Sequence, residues 1–143
     1  MAMPKSVVKF DKNGFKYTSN VEAWQYTVRE LSRAALRDVG KFITRTARAA
    51  APSKTGEGKK QIQYWVKSKT TSLEVGIKRD GFYMMFHELG SMKHKKQAFL
   101  YNATHDNISE ITEIEKKYLS GIESPSVESM IDENDYEGGE ENE

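Results

Sequence analysis

The feature that most constrains the fold is a long stretch of helical pattern between Ser19 and Ala51. Ser19 is a favourable N-cap with Glu22 three residues later, and Pro52 ends the stretch because the residue before a proline avoids helical angles. Such a helix is about 45 Å long at 1.5 Å per residue and cannot bury one face alone, so we expect the remaining chain to pack against it. Steps of three or four place one predicted face at Val21, Trp24, Val28, Leu31, Ala35, Val39, Phe42 and Thr46.

Charge is distributed unevenly along the chain, although its formal sum is only +1. Residues 123–143 contain nine of the 21 Asp and Glu residues and none of the 22 Lys and Arg residues, so their net charge is −9. The other 12 carboxylates leave residues 1–122 at +10, which favours a polyanion or an acidic protein surface as partner. Alternatively, the acidic residues only solubilise and screen the body. The opposite face of the long helix contributes Arg29, Arg33, Arg37, Lys41 and Arg48.

The residues beyond the helix predict a small antiparallel sheet. Apolar residues at Ile62, Tyr64 and Val66 alternate with Gln61, Gln63 and Lys67, while Trp65 belongs to the other face. The same period of two returns in 73–77. The polar residues 70–72 form a plausible turn between the two strands, and we expect Trp24 and Val28 to be buried against this hairpin. Before the helix, residues 7–10 and 15–17 fit either a hairpin or a single strand.

The C-terminal half has two further apolar segments. Residues 82–90 are dense in aromatic and apolar side chains, and fit either a buried strand or two helical turns. A helical pattern runs from Phe99 to a terminating Gly121. We therefore predict one α+β body over 1–122: a long N-terminal amphipathic helix on a small antiparallel β-sheet, with a second C-terminal helix. Residues 123–143 are expected to form a disordered, flexible acidic tail.

Motifs for catalysis and for nucleotide or metal binding fail at defined positions. The 52–60 loop lacks the first glycine and the final Ser or Thr of a phosphate-binding loop, since Ser53 and Lys60 stand there. His87-Glu88 would need a second histidine at position 91, which is Ser. The chain contains no cysteine, which fits a reducing compartment, and no apolar run long enough to span a membrane. We expect a soluble intracellular protein without enzymatic activity, cofactor or metal.

Three segments, in this order, resemble the tail-component or tail-completion proteins of long-tailed bacteriophages and prophages. They are Ala51–Gly56 after the long helix, Tyr83–Gly90 with its Glu88, and Ala98–Ala103 with its Phe-Leu pair. The prolines that flank Phe-Leu in that family are replaced by Ala98 and Asn102. The resemblance covers about residues 19–120.

This resemblance implies a structural protein of the virion neck, assembled in the host cytoplasm. Its copies would form a hexameric ring that completes the tail tube, joins it to the head-completion or connector protein, and contacts the passing DNA nonspecifically. The basic segment 91–97 is then either a contact with phosphate or an acidic neighbour, or a solvated loop. The alternative function is a basic DNA-binding accessory protein with an autoinhibitory acidic tail. The candidate interaction residues are Lys54, Thr55, Gly56, Lys59, Lys60, Glu88, Lys93, Lys95 and Lys96.

Overall fold

The fold is organised around α1, a helix of 30 residues from Val21 to Ala50. The structure is a computed structural model and describes residues 7–12, 15–19, 21–52 and 54–120. It confirms an α+β architecture with a long N-terminal helix, and a short 3-10 turn lies at Arg79–Gly81. In chain order the other elements are β1 (Val7–Lys12), β2 (Phe15–Ser19), α2 (Glu57–Lys60), β3 (Ile62–Lys67), β4 (Ser72–Ile77), α3 (Met84–Leu89), α4 (Phe99–His105) and α5 (Ile108–Ser120).

The predicted hairpin after the helix is confirmed. Strands β3 and β4 are antiparallel and pair from Ile62↔Ile77 to Lys67↔Ser72. The alternating apolar residues of β3 are buried against α1, as their period of two requires. Gly40 permits this contact, because a Cβ there would lie 2.5 Å from Cδ2 of Tyr64. The main core consists of Val39, Ile43, Ala47, Ala51, Ile62, Met84, Phe99 and Ala103.

The predicted apolar face of α1 is correct in its middle and wrong at its first end. Trp24 is 62% exposed and Val28 only half-buried, so the expectation that they pack under the hairpin is wrong. Leu31 is the first buried residue of the helix. Near the other end Ile43 and Ala47 are buried, whereas the predicted Phe42 and Thr46 are half-buried. The core therefore begins about ten residues into α1.

Two arginines of the predicted basic face are engaged by the sheet. Arg48 donates from Nε and NH2 to the Ile62 carbonyl, at 3.2 and 2.8 Å. Arg33 pairs with Glu30 at 2.7 Å and donates to the Ser68 carbonyl at 3.4 Å. These side chains therefore tie α1 to the β3–β4 hairpin, which makes this face less free than its charge pattern suggests.

The two ends of the described chain complete the architecture. Strands β1 and β2 form an antiparallel hairpin that is a sheet of its own, which decides between the two interpretations of the N-terminal segment. The predicted second helix is two helices, since α4 ends at His105 and α5 begins at Ile108. The α5 residues Ile111 and Ile114 pack against the core. The acidic tail predicted for residues 123–143 and the Gly121 that was predicted to end the second helix lie outside the described residues.

Candidate functional site

The most distinctive surface of the body is a row of large apolar side chains on α3. Phe82, Met85, Phe86 and Leu89 are between 47% and 65% exposed. Steps of three and four place them on one side of the helical turns, and the Phe82 and Phe86 rings meet edge to face with centroids 6.5 Å apart. We call these four residues the α3 stripe. An exposed apolar row of this size is typical of a surface that another macromolecule covers.

The other side of α3 anchors it to the body. Met84 is 2% exposed and belongs to the core, together with Phe99 of α4. A Cβ added to Gly58 would lie 2.6 Å from Met84 Sδ and 3.2 Å from the Tyr83 hydroxyl oxygen. Glycine at position 58 leaves room for this close approach. It places α2 directly beside the start of α3.

Residues 54–60, which include α2 and the turn before it, contain five of the candidate interaction residues. Lys54, Thr55 and Lys60 are exposed, whereas Lys59 is half-buried. Gly56 has a φ of +82°, a left-handed conformation that glycine adopts without strain. The segment is not a simple loop as expected, since residues 57–60 form the short helix α2. Lys60 donates to Glu57 over 2.9 Å, and this hydrogen bond raises the pKa of the Lys60 ammonium.

Glu88 has a structural partner that the sequence did not indicate. Its two carboxylate oxygens accept the backbone N–H groups of Leu100 at 2.9 Å and Tyr101 at 3.1 Å. Both groups belong to the first turn of α4, where helix N–H groups lack partners within the helix and attract negative charge. Glu88 therefore fastens α3 to α4, and its proposed contact with a neighbour would have to share this carboxylate.

The basic loop, residues 91–97, is fully exposed along its length. It is closed by backbone hydrogen bonds of 2.8 Å, from Gln97 N–H to the His87 carbonyl and from Ser91 N–H to the His94 carbonyl. Because both ends are tied to the end of α3, the loop displays its cations beside that helix. The exposed cations are Lys93, Lys95 and Lys96.

The structure thus brings together the three segments that the sequence analysis singled out. Ala51 of the first segment, Met84 of the second and Phe99 of the third belong to the same core cluster. Glu88 also binds the start of α4. Sequence reasoning missed the α3 stripe because a dense apolar run was taken as material for the core. The available signal was the helical spacing of Phe82, Phe86 and Leu89, with Met84 out of phase.

Within 7–12, 15–19, 21–52 and 54–120, no group of three His, Asp or Glu residues is placed to hold a metal ion. His87 and His94 lie side by side with ring centroids 4.6 Å apart. No helix of these ranges is both long and apolar enough to cross a membrane.

Comparisons with models of known protein families, with curated protein sequences and with solved structures find no match to this chain. The site therefore has to be interpreted from its own geometry.

Proposed function

We propose that this protein is a structural virion protein of the phage neck, where several copies form a ring that completes the tail tube and joins it to the head connector. The observation that supports this most directly is the α3 stripe beside the exposed lysines of the basic loop. An apolar centre surrounded by a polar rim is the usual composition of protein–protein contacts. The same two segments belong to the stretch that resembles tail-completion proteins.

The energetics favour a protein partner for the α3 stripe. Burial of one large apolar side chain contributes about 1.5–3 kcal/mol, so four half-exposed side chains supply a substantial share of a specific contact. Phe86 and Leu89 lie on a helix whose other face is fixed by Met84 and Glu88, and Phe82 packs against Phe86 from just before that helix. The stripe is therefore presented without ordering a flexible segment first, which reduces the entropic cost of association.

A closed ring also needs two different surfaces on each copy, because its contacts are head to tail. The α3 stripe supplies one of them. The sheets supply a second kind of surface. Among the described residues β1–β2 and β3–β4 each contain two strands, so each strand has one edge beside which no further described strand lies. In a ring of six copies, the α3 stripe of each copy would contact a strand edge of the next, so both surfaces would be covered.

The proposal is tested by deleting the gene from its phage and adding purified protein back to the extract. We expect DNA-filled heads and unattached tails without the protein, and joined particles once it is added. A variant with Phe86→Ser and Leu89→Ser should fold but fail to join particles. Normal infectious particles from the deleted phage would refute the proposal.

Charge in the basic loop can be tested in the same extract. Replacing Lys93, Lys95 and Lys96 with Glu should weaken joining if the loop meets an acidic neighbour. The matched control also reverses three charges by replacing Lys69, Lys116 and Lys117 with Glu, since all three are exposed and lie outside the basic loop. Equal loss in both variants would show that overall charge, and not this loop, determines joining.

The alternative is a DNA-binding accessory protein, favoured by the +10 charge of residues 1–122. Arg33 and Arg48 already donate to carbonyls of the hairpin, so the long basic face offers fewer free cations than the sequence suggests. If DNA binding is the function and the acidic residues inhibit it, deletion of 123–143 should raise duplex affinity with a steep salt dependence. Equal affinity with and without those residues would exclude that mechanism.

A further inference from the structure

A second apolar feature lies at the opposite end of α1 from the α3 stripe. One hollow of about 260 Å³ is lined by Leu31, Leu36, Tyr118 and Leu119, among others. A second hollow of about 450 Å³ includes Trp24, and both are lined by Ser32 and Thr71. Because the two hollows share these lining residues and are neighbours, we call them together the α1 groove. Trp24 lies 23 residues before Ala47, about 35 Å along the helix from the core around Met84.

The α1 groove exposes side chains that water solvates poorly. Trp24 is 62% exposed and Leu119 is 59% exposed, although both line the groove. A tryptophan can bury 150–250 Å² when it is covered, so an exposed one at the wall of a groove marks a binding surface.

The chain itself delivers a candidate occupant to this groove. Leu119 forms part of the groove wall, and the acidic residues begin four positions later. From Leu119 to Val127 the chain can span about 26 Å at 3.3 Å per residue. The groove runs along α1 from Leu36 to Trp24, about 18 Å of helix. The residues after Val127 can therefore reach the whole length of the groove.

The chemistry of these residues matches the groove. Val127, Met130 and Ile131 follow a spacing that places them on one side of a helical turn, with acidic residues between and after them. On the groove side, Arg29 lines the wall and Lys69 is exposed on the turn before Thr71, while Glu115 is the opposing carboxylate. The −9 charge of 123–143 is attracted by the +10 charge of the body.

We propose that residues 127–136 of the same chain dock in the α1 groove. Val127, Met130 and Ile131 cover the exposed ring of Trp24, and the neighbouring carboxylates face Arg29. Covalent attachment next to the groove gives the segment an effective concentration in the millimolar range, which exceeds that of a second free copy in dilute solution. This docking is independent of the proposed neck function.

Fluorine NMR of the full-length protein labelled with 5-fluorotryptophan tests the proposal. The two tryptophans give separate signals, and Trp65 lines neither hollow, so it serves as an internal reference. The test variant replaces Val127, Met130 and Ile131 with Ser. The control variant replaces Ser124, Ser126 and Ser129 with Ala, and both variants leave every charge in place.

We expect the test variant to shift the Trp24 signal and to raise its solvent isotope shift towards that of free 5-fluorotryptophan. The Trp65 signal and the control variant should be unchanged. An unchanged Trp24 signal in the test variant would overturn the proposal, as would an equal shift in the control. If dilution of the unmodified protein alone exposes Trp24, a second copy covers the groove and the proposal is wrong.

Discussion

Replacement of Glu88 separates a structural role from a role in partner binding. Its carboxylate accepts two backbone N–H groups at the start of α4, from Leu100 at 2.9 Å and from Tyr101 at 3.1 Å. Removal of a helix cap costs about 0.5–2 kcal/mol, and hydrogen bonds to a charged acceptor contribute about 1.5–3 kcal/mol. Because Glu88 is only half-buried, water compensates part of this loss. We expect Glu88→Ala to lower the free energy of unfolding by about 2 kcal/mol.

Urea unfolding of Glu88→Ala measures this difference, and Glu113→Ala is the matched control because Glu113 is exposed on α5. Glu88→Gln retains a hydrogen-bond acceptor without the charge, so its free energy of unfolding should lie between those of Glu88→Ala and the control. Amide hydrogen exchange gives an independent readout, since Leu100 and Tyr101 should lose protection before the rest of the body. If Glu88→Ala unfolds like the control and these amides exchange normally, Glu88 does not stabilise α4.

Two further substitutions test the contacts of α1. Gly40→Ala would place a Cβ 2.5 Å from Cδ2 of Tyr64, so we expect thermal unfolding to show a free energy of unfolding lower by about 1–3 kcal/mol. At an open helical site the same change would raise stability. A more stable variant would show that α1 and β3 are less tightly packed. Tyr118 donates to Asp38, and burial followed by this hydrogen bond raises the pKa of the Tyr118 phenol. The stabilisation by this hydrogen bond is complete below the tyrosine pKa of the unfolded chain, about 10, and is lost as the pH rises above it. Urea unfolding should therefore show Tyr118→Phe to be about 1–2 kcal/mol less stable than the unmodified protein at neutral pH, with a smaller difference in alkali. A difference that does not depend on pH would refute the role of the Tyr118–Asp38 hydrogen bond.

Local patterns in the sequence were sufficient to predict the sheet and the middle of α1. Strand β3 alternates strictly between buried and half-buried residues, and its buried face is the one that packs against α1. The start of α1 could not be assigned in the same way. Trp24 continues the helical spacing, but whether a face is covered depends on where the partner layer ends, and β3 and β4 are only six residues each. The exposure of Trp24 depends on how far the β3–β4 hairpin extends along α1, and the local periodicity of α1 does not contain that information.

The candidate site was predicted in part. The lysines of the basic loop are exposed as the loop composition indicated. The role of Glu88 depends on a hydrogen bond across twelve residues, which no spacing rule predicts. The α3 stripe was hidden because buried and exposed apolar residues look alike in a short run. Only the position of Met84 in the core determines which side of that helix faces outward.

The late start of the core along α1 separates two kinds of constraint on the sequence. No residue from 21 to 30 is buried, whereas burial recurs from Leu31 to Ala47. Substitutions in the first segment can therefore alter what the protein recognises at little cost to folding, because surface changes usually shift stability by less than about 0.5 kcal/mol. Substitutions from Leu31 onward are restricted by packing. Tolerance of α1 to substitution should thus change abruptly near Leu31: many amino-acid changes are permitted before this residue and few after it.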